Sequence, residues 1–204
     1  MNQYLADIEY AATGVITQIW KEQTEISRLD AEVVRLSRIA EDKYRRAEAM
    51  QQNDDMDDYM MGVGLMWDAY FTEDKEAFHK KKELDAIRQT YLTHEFAINS
   101  LSGALLQFAK QGISIVHGGT RNCPNGRSIG SQHLKDVIWQ GRNQSIHYEE
   151  ANFSHAVVTC FNTLAADIDP KFSRYTAANM AFDIIDLLQW KTFADFQTDM
   201  MSLA

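Results

Sequence analysis

Apolar residues spaced alternately three and four apart dominate the chain. From Tyr4 to about Met50, Val15, Ile19, Ile26, Leu29, Val33, Leu36, Ala40 and Ala47 keep that spacing. It predicts one long helix with a narrow apolar seam. Glu22 and Lys43 occupy seam positions and interrupt it, while Glu25, Arg28, Glu32, Arg35 and Arg38 fall off it. Two roles suit such a helix: packing on a neighbour in a bundle, or a coiled-coil arm joining two subunits. Gln51 to Asp55 breaks the pattern and reads as a turn. Asp57 to Phe71 is crowded with Met, Trp, Tyr and Phe and reads as core, with Gly62 and Gly64 weakening a helix there. Thr72-Glu73-Asp74 reads as the N-cap of the next helix.

That next helix has the clearest period. Leu84, Ile87, Tyr91, His94, Ile98, Leu101, Leu105 and Phe108 form a heptad seam. His94 is its one strongly polar member, suited to a hydrogen-bonded core position. Residues 118–130 hold four glycines and Pro124 and mark a loop. The loop lacks the Gly-Lys-Ser/Thr of a P-loop. It carries Arg121 and Arg127, candidate substrate contacts beside a site. Ser131 is placed to cap a short helix through Gln140, with Leu134, Val137 and Ile138 inward. After residue 150, Phe153, Val157, Phe161, Leu164 and Ile168 define another helix, with Asn152 as N-cap and Asp169-Pro170 as its end. A last long pattern, Ala181, Ile184, Ile185 and Leu188, predicts a helix over about 177–190. The tail to Ala204 reads as a short helix. No internal repeat is evident. The fold class expected is all-α: five to six helices in one domain over 1–204, with residues 1–70 as a helical hairpin or arm.

Composition agrees with helices, since there are only two prolines and ten glycines. The formal net charge of −9 excludes a generic nucleic-acid binder, because backbone affinity comes from clustered Lys and Arg. Any RNA contact must be a local basic patch. Cys123 and Cys160 form no CxxC pair, so a reduced, cytoplasmic setting is the expectation. No signal peptide and no membrane-length apolar run is visible. A Gly-x-Ser-x-Gly elbow is absent. His133, His147 and His155 are near in sequence but lie in no HExxH pattern, so no metal site and no cofactor is expected.

Between the last two well-marked patterns lies Gly141-Arg142-Asn143-Gln144-Ser145-Ile146-His147-Tyr148-Glu149-Glu150. Arg offers a permanent charge and a planar fork of donors suited to phosphate. His moves its proton near neutral pH. On an ideal helix, residues five apart are about 140° apart around the axis. Arg142 and His147 therefore do not face one point from a straight helix. Either the helix breaks, for which Gly141 is suited, or each residue works with a partner from another chain. A purely structural reading is also open: Arg142 pairing with Glu149 or Glu150, and His147 capping a helix. Glu149 and Glu150 suit the entry of the helix that follows.

Arg142, Asn143 and His147, set between apolar helices, resemble the HEPN superfamily motif: Arg, a polar residue, then His four to six positions after the Arg. The resemblance covers about residues 84–190 and leaves the first 70 outside. It implies a helical bundle that dimerises. For many members it implies a metal-independent endoribonuclease of toxin–antitoxin or antiphage defence systems; others bind nucleotides or serve as dimerisation modules. The expected function is RNA cleavage by transesterification, with RNA, a second copy and a cognate antitoxin as partners. His147 would move protons, Arg142 would stabilise the phosphorane-like charge, and Asn143 would orient either. Tyr148 joins the substrate contacts; in several family toxins a Tyr close after the His is modified by a nucleotidyltransferase antitoxin, and Tyr148 stands one position earlier than that pattern. The alternative is a non-catalytic helical dimer that binds a nucleotide or a protein.

Overall fold

The long seams become two long helices. In the computed structural model, α1 spans Asn2–Gln51 and α2 spans Met56–His117. The structure describes the backbone of residues 1–51, 56–150 and 152–204. Side chains are described throughout these ranges except at 36–37, 39–51, 56–59, 61–62 and 65–84. The expected turn at 51–55 falls, from residue 52 on, outside the described residues, as do the side chains of Lys43 and most of the Met-rich stretch. The backbone corrects one boundary. Thr72 lies inside a helix and not at the start of one, because α2 runs unbroken through Gly62, Gly64 and Thr72. A lone glycine costs a helix only about 1 kcal/mol, and no proline interrupts this stretch.

Two units divide the chain: residues 24–95, and residues 1–23 together with 96–204. The first consists of the following part of α1 and the leading part of α2. Within it Leu29 is buried, Ile87, Tyr91 and His94 are half-buried, and Phe96 just beyond it is exposed. The second unit takes in the first turns of α1 and everything after Trp190, both outside the expected 84–190 bundle. In it the hairpin β1 (Ser128–Ile129) and β2 (Gln132–His133) pairs antiparallel, Ser128 with His133. Then follow α3 (Leu134–His147), a 3-10 turn at Tyr148–Glu150, α4 (His155–Asp167), a 3-10 helix at Pro170–Thr176, α5 (Ala181–Leu188) and α6 (Phe193–Ser202). The class is all-α, as the patterns predict, with only these two short strands among the described residues.

Leu5, Ala12, Ile16 and Ile19 of α1 are buried, as are Ile98, Leu105, Leu106, Ala109 and Ile113 of α2. The buried line on α2 is therefore rotated from the predicted seam, and Leu101 and Phe108 sit at its edge, half-buried. The α5 positions Ala181, Ile184, Ile185 and Leu188 are all buried as expected. Each large side chain so buried contributes about 1.5–3 kcal/mol. Gln189 ends α5 in the left-handed conformation, φ 58°, returning its N–H to Asp186. Ser154, not Asn152, caps α4 by accepting from Val157 N. Asp169 and Pro170 end α4 and open the next 3-10 helix, Asp169 accepting from Lys171 N at 2.8 Å. Ser131 does not cap α3: its N–H and hydroxyl both donate to Asp167. Among the described residues, no helix is long and apolar enough to cross a membrane.

Candidate functional site

Helix α3 has one face locked into the core and one turned outward. Leu134, Val137, Ile138, Gly141, Gln144 and Ser145 form the buried face. Gln144 is fully buried and fully satisfied. Its amide donates to the carbonyls of Tyr175 and Ala178, at 2.8 and 2.7 Å, and its oxygen accepts from Met180 N at 3.0 Å. An amide with every bond met ties the motif helix to the segment that enters α5. Gly141 does not break the helix. A Cβ at this position would lie 3.2 Å from Ile184 Cγ1, so the glycine serves the close approach of α5 to α3.

The outward arc carries Trp139, Gln140, Arg142, Asn143, Ile146 and His147, all half-buried or exposed. On this unbroken helix Arg142 and His147 lie roughly 140° apart and about 7.5 Å apart along the axis. They mark the two edges of the arc and do not converge within one chain. Ile146, 50% exposed, lies between them.

Helix α2 runs antiparallel beside α3. Lys110 stands over Trp139, Gln107 meets Arg142, and Gly103 lies against Ser145. Arg142 Nε donates to Gln107 Oε1 at 2.6 Å, and its Nη1 donates weakly to Asn143 Oδ1 at 3.4 Å. No carboxylate among the described residues forms an ion pair with Arg142. Asn143 in turn donates to Gln140 at 3.4 Å. Lys110 Nζ sits 4.6 Å from the centre of the Trp139 ring. Burial, and then the charge of Arg142, hold the Lys110 ammonium below the usual lysine range.

His147 pairs through Nδ1 with Glu150 Oε1 at 3.0 Å, and its side chain is exposed. A carboxylate on Nδ1 fixes the tautomer and orientation of the ring. Glu150 thus belongs to the His rather than to the entry of α4. Tyr148 donates its hydroxyl to Glu149 at 3.1 Å, and that bond raises the phenol above its usual range. Neither glutamate reaches Arg142, so the purely structural pairing is absent.

The loop arginines fall elsewhere. Arg121 is exposed and bonds to none of the motif residues. Arg127 donates Nε and Nη2 to the two oxygens of Asp199, at 2.8 and 2.9 Å, and Nη2 also to Leu188 O. That guanidinium is committed to α6 and the end of α5. Gln107, Lys110, Trp139 and Glu150 complete the site and were not expected from the motif. Lys110 had a signal: it is the only Asp, Glu, Lys or Arg between Glu95 and Arg121.

No protein-family model matches the chain, and neither a curated protein nor a solved structure shows significant similarity to it. Among the described residues, no three His, Cys, Asp or Glu side chains cluster closely enough to hold a metal ion. Cys123 and Cys160 are free and buried, and burial pushes the Cys160 thiol up to about 12.

Proposed function

We propose that this chain is a cytoplasmic, metal-independent endoribonuclease of the HEPN kind, acting in toxin–antitoxin or antiphage defence as a homodimer. One observation carries the reading: an arginine with no carboxylate partner among the described residues and a carboxylate-oriented histidine flank one outward arc of a rigidly held helix. His147 Nε2 takes the proton of a ribose 2′-hydroxyl. The 2′-oxygen attacks phosphorus, the bond to the 5′-oxygen breaks, and a 2′,3′-cyclic phosphate forms. Arg142 stabilises the charge that gathers on the phosphorane oxygens. Glu150 keeps the His147 proton on Nδ1, so that Nε2 is the base. The departing 5′-oxygen needs a proton from a second acid. Two copies paired arc to arc about a two-fold axis, around Ile146, supply a second His147 facing the first Arg142.

The purified protein should cut single-stranded RNA in excess EDTA and leave 2′,3′-cyclic ends, read by mass spectrometry of the fragments. Cutting that stops in EDTA and returns with a divalent ion rejects this mechanism. The second reading, a non-catalytic dimer that binds a nucleotide or a protein, is favoured by the net charge of −9 and by the acidic pair beside His147. Nucleotide binding without any cutting would select it.

A further inference from the structure

Five cations among the described residues are matched by carboxylates. Arg28, Arg35 and Arg88 pair with glutamates or aspartate on their own helices. Arg127 holds Asp199, and Lys171 reaches Asp183 and Asp186. With 29 acidic against 20 basic residues, a carboxylate is easily supplied. Lys110 and Arg142 instead meet each other at the α2–α3 seam. Among the described residues, neither forms an ion pair with a carboxylate, although the Arg142 charge raises the cost of charge on Lys110. Both are held in place rather than left to swing. Gln107 fixes Arg142, and the Trp139 ring face fixes Lys110. Gln107 and Lys110 share one face of α2, three residues apart, and Trp139 and Arg142 share one face of α3 with the same spacing. Four residues thus hold two neighbouring positive charges at one surface seam. An anion at that seam offsets their mutual repulsion, and a chain of phosphates matches two cations spaced along a helix.

We infer that Lys110 is a substrate-positioning residue: it binds the backbone phosphate of single-stranded RNA next to the phosphate that Arg142 holds, with Trp139 fixing the ammonium by its ring face. The inference rests on the RNA-binding half of the proposed function and needs none of the cleavage chemistry. The test therefore uses a non-cleavable 2′-O-methyl oligonucleotide and measures its dissociation constant across a salt series. Each phosphate contact on a single strand contributes about 0.7 to the slope of log K against log salt. Lys110→Met should flatten the slope by about 0.7 and weaken binding about fivefold at 0.1 M salt. Lys110→Arg should keep the parental slope. Arg142→Ala should flatten it by a similar amount, and the double variant by the sum. Thermal melts confirm that each variant is folded. A folded Lys110→Met protein with the parental slope overturns the inference, and if Arg142→Ala still flattens the slope then the proposed function stands without it. No salt-dependent binding in any variant, with the parent also unable to bind, rejects both.

Discussion

Arg127 and Arg142 are both partly buried arginines on the same unit, and their surroundings differ in one respect. Arg127 meets a buried carboxylate head-on, with both Asp199 oxygens taken and Trp190 Nε1 donating to the same carboxylate at 2.8 Å. Arg142 meets an amide oxygen, which accepts a bond without cancelling the charge. A bidentate acid makes an arginine a cross-link. A neutral acceptor makes it an oriented, still uncancelled cation. The first arrangement joins the loop before α3 to α6; the second leaves Nη2 and a full positive charge at the surface of an acidic protein. In such a chain an arginine oriented by a neutral acceptor is the informative one.

Substitution at the two positions should give opposite phenotypes. Arg142→Ala and His147→Ala should each lower RNA cleavage by about 10²–10⁴-fold, the usual worth of an electrostatic or proton-transfer group. Neither should move the urea midpoint appreciably, since no buried charge is left behind. Arg127→Met should leave cleavage per folded molecule intact and lower stability. Breaking a buried ion pair costs about 3–5 kcal/mol. Arg127 is 44% exposed, so solvent screening reduces this to about 2 kcal/mol. Urea titration and a single-turnover assay on the same preparations separate the outcomes. A stable but inactive Arg127→Met protein would erase the contrast.

The same two regions show what a sequence reveals. α5 was legible because Ala181, Ile184, Ile185 and Leu188 repeat at three and four without a polar interruption. The line on α4 through Val157, Phe161 and Leu164 was legible for the same reason. α6 was legible as a short helix but its buried face was not: Phe196, Met200 and Leu203 are fully buried and Phe196 meets Trp190 edge-on at 4.9 Å. Its buried stripe contains Asp199, and a carboxylate in a core position reads as surface until its arginine, 72 residues away, is known. Ser131 was misread because Asp167, which holds it, lies 36 residues away in the chain. Gly141 carries two meanings, a helix end or a close approach, and only the presence of Ile184 decides. Arg142 and His147 were found by residue type and spacing. Gln107 came only with the packing of α2 on α3, which also gives the lone charge of Lys110 its meaning.

Gly141 supplies a middle-sized test of how tightly the site helix is held. Gly14 is also inside a helix, and a Cβ there would meet nothing within 4 Å. Gly14→Ala should stabilise by about 0.8–1.0 kcal/mol, the difference in helix propensity. Gly141→Ala gains the same propensity but drives a methyl to 3.2 and 3.3 Å from the two γ carbons of Ile184. Ile is stiff at χ1, so α5 itself must give. Overpacking of this kind costs about 1–3 kcal/mol. The net expected is a loss of about 1 kcal/mol, opposite in sign to Gly14→Ala. Equal stabilisation by both substitutions would show that the close approach of α5 to α3 does not depend on the missing side chain.

The smallest effect concerns the helix that anchors Arg127. Thr192 and Asp195 form a capping box at the start of α6: the Thr192 N–H and hydroxyl donate to Asp195 Oδ2 at 2.8 Å, and the Asp195 N–H donates back to Thr192 Oγ1 at 3.3 Å. The hydroxyl bond from Thr192 is the largest cause that holds the Asp195 carboxyl below the usual range, with burial opposing it slightly. A depressed carboxyl stabilises the fold above its unfolded-state value of about 3.9, and that stability is lost as pH falls through the lower folded value. Asp195 lies almost wholly in water, so screening limits the effect, and Asp195→Asn should cost about 0.5 kcal/mol near pH 7. Parent and variant should converge in stability as the pH drops below the carboxylate range. Thr192→Ala removes the other half of the box and should cost up to about 1 kcal/mol near pH 7. Its loss should also shrink toward acid, but not vanish, because the bond from Asp195 N–H to the hydroxyl does not titrate. Urea midpoints at pH 7 and at pH 3 read both differences. A pH-independent gap for Asp195→Asn would mean that the carboxylate charge contributes nothing to the start of α6, and the Arg127–Asp199 cross-link alone would then account for its anchoring.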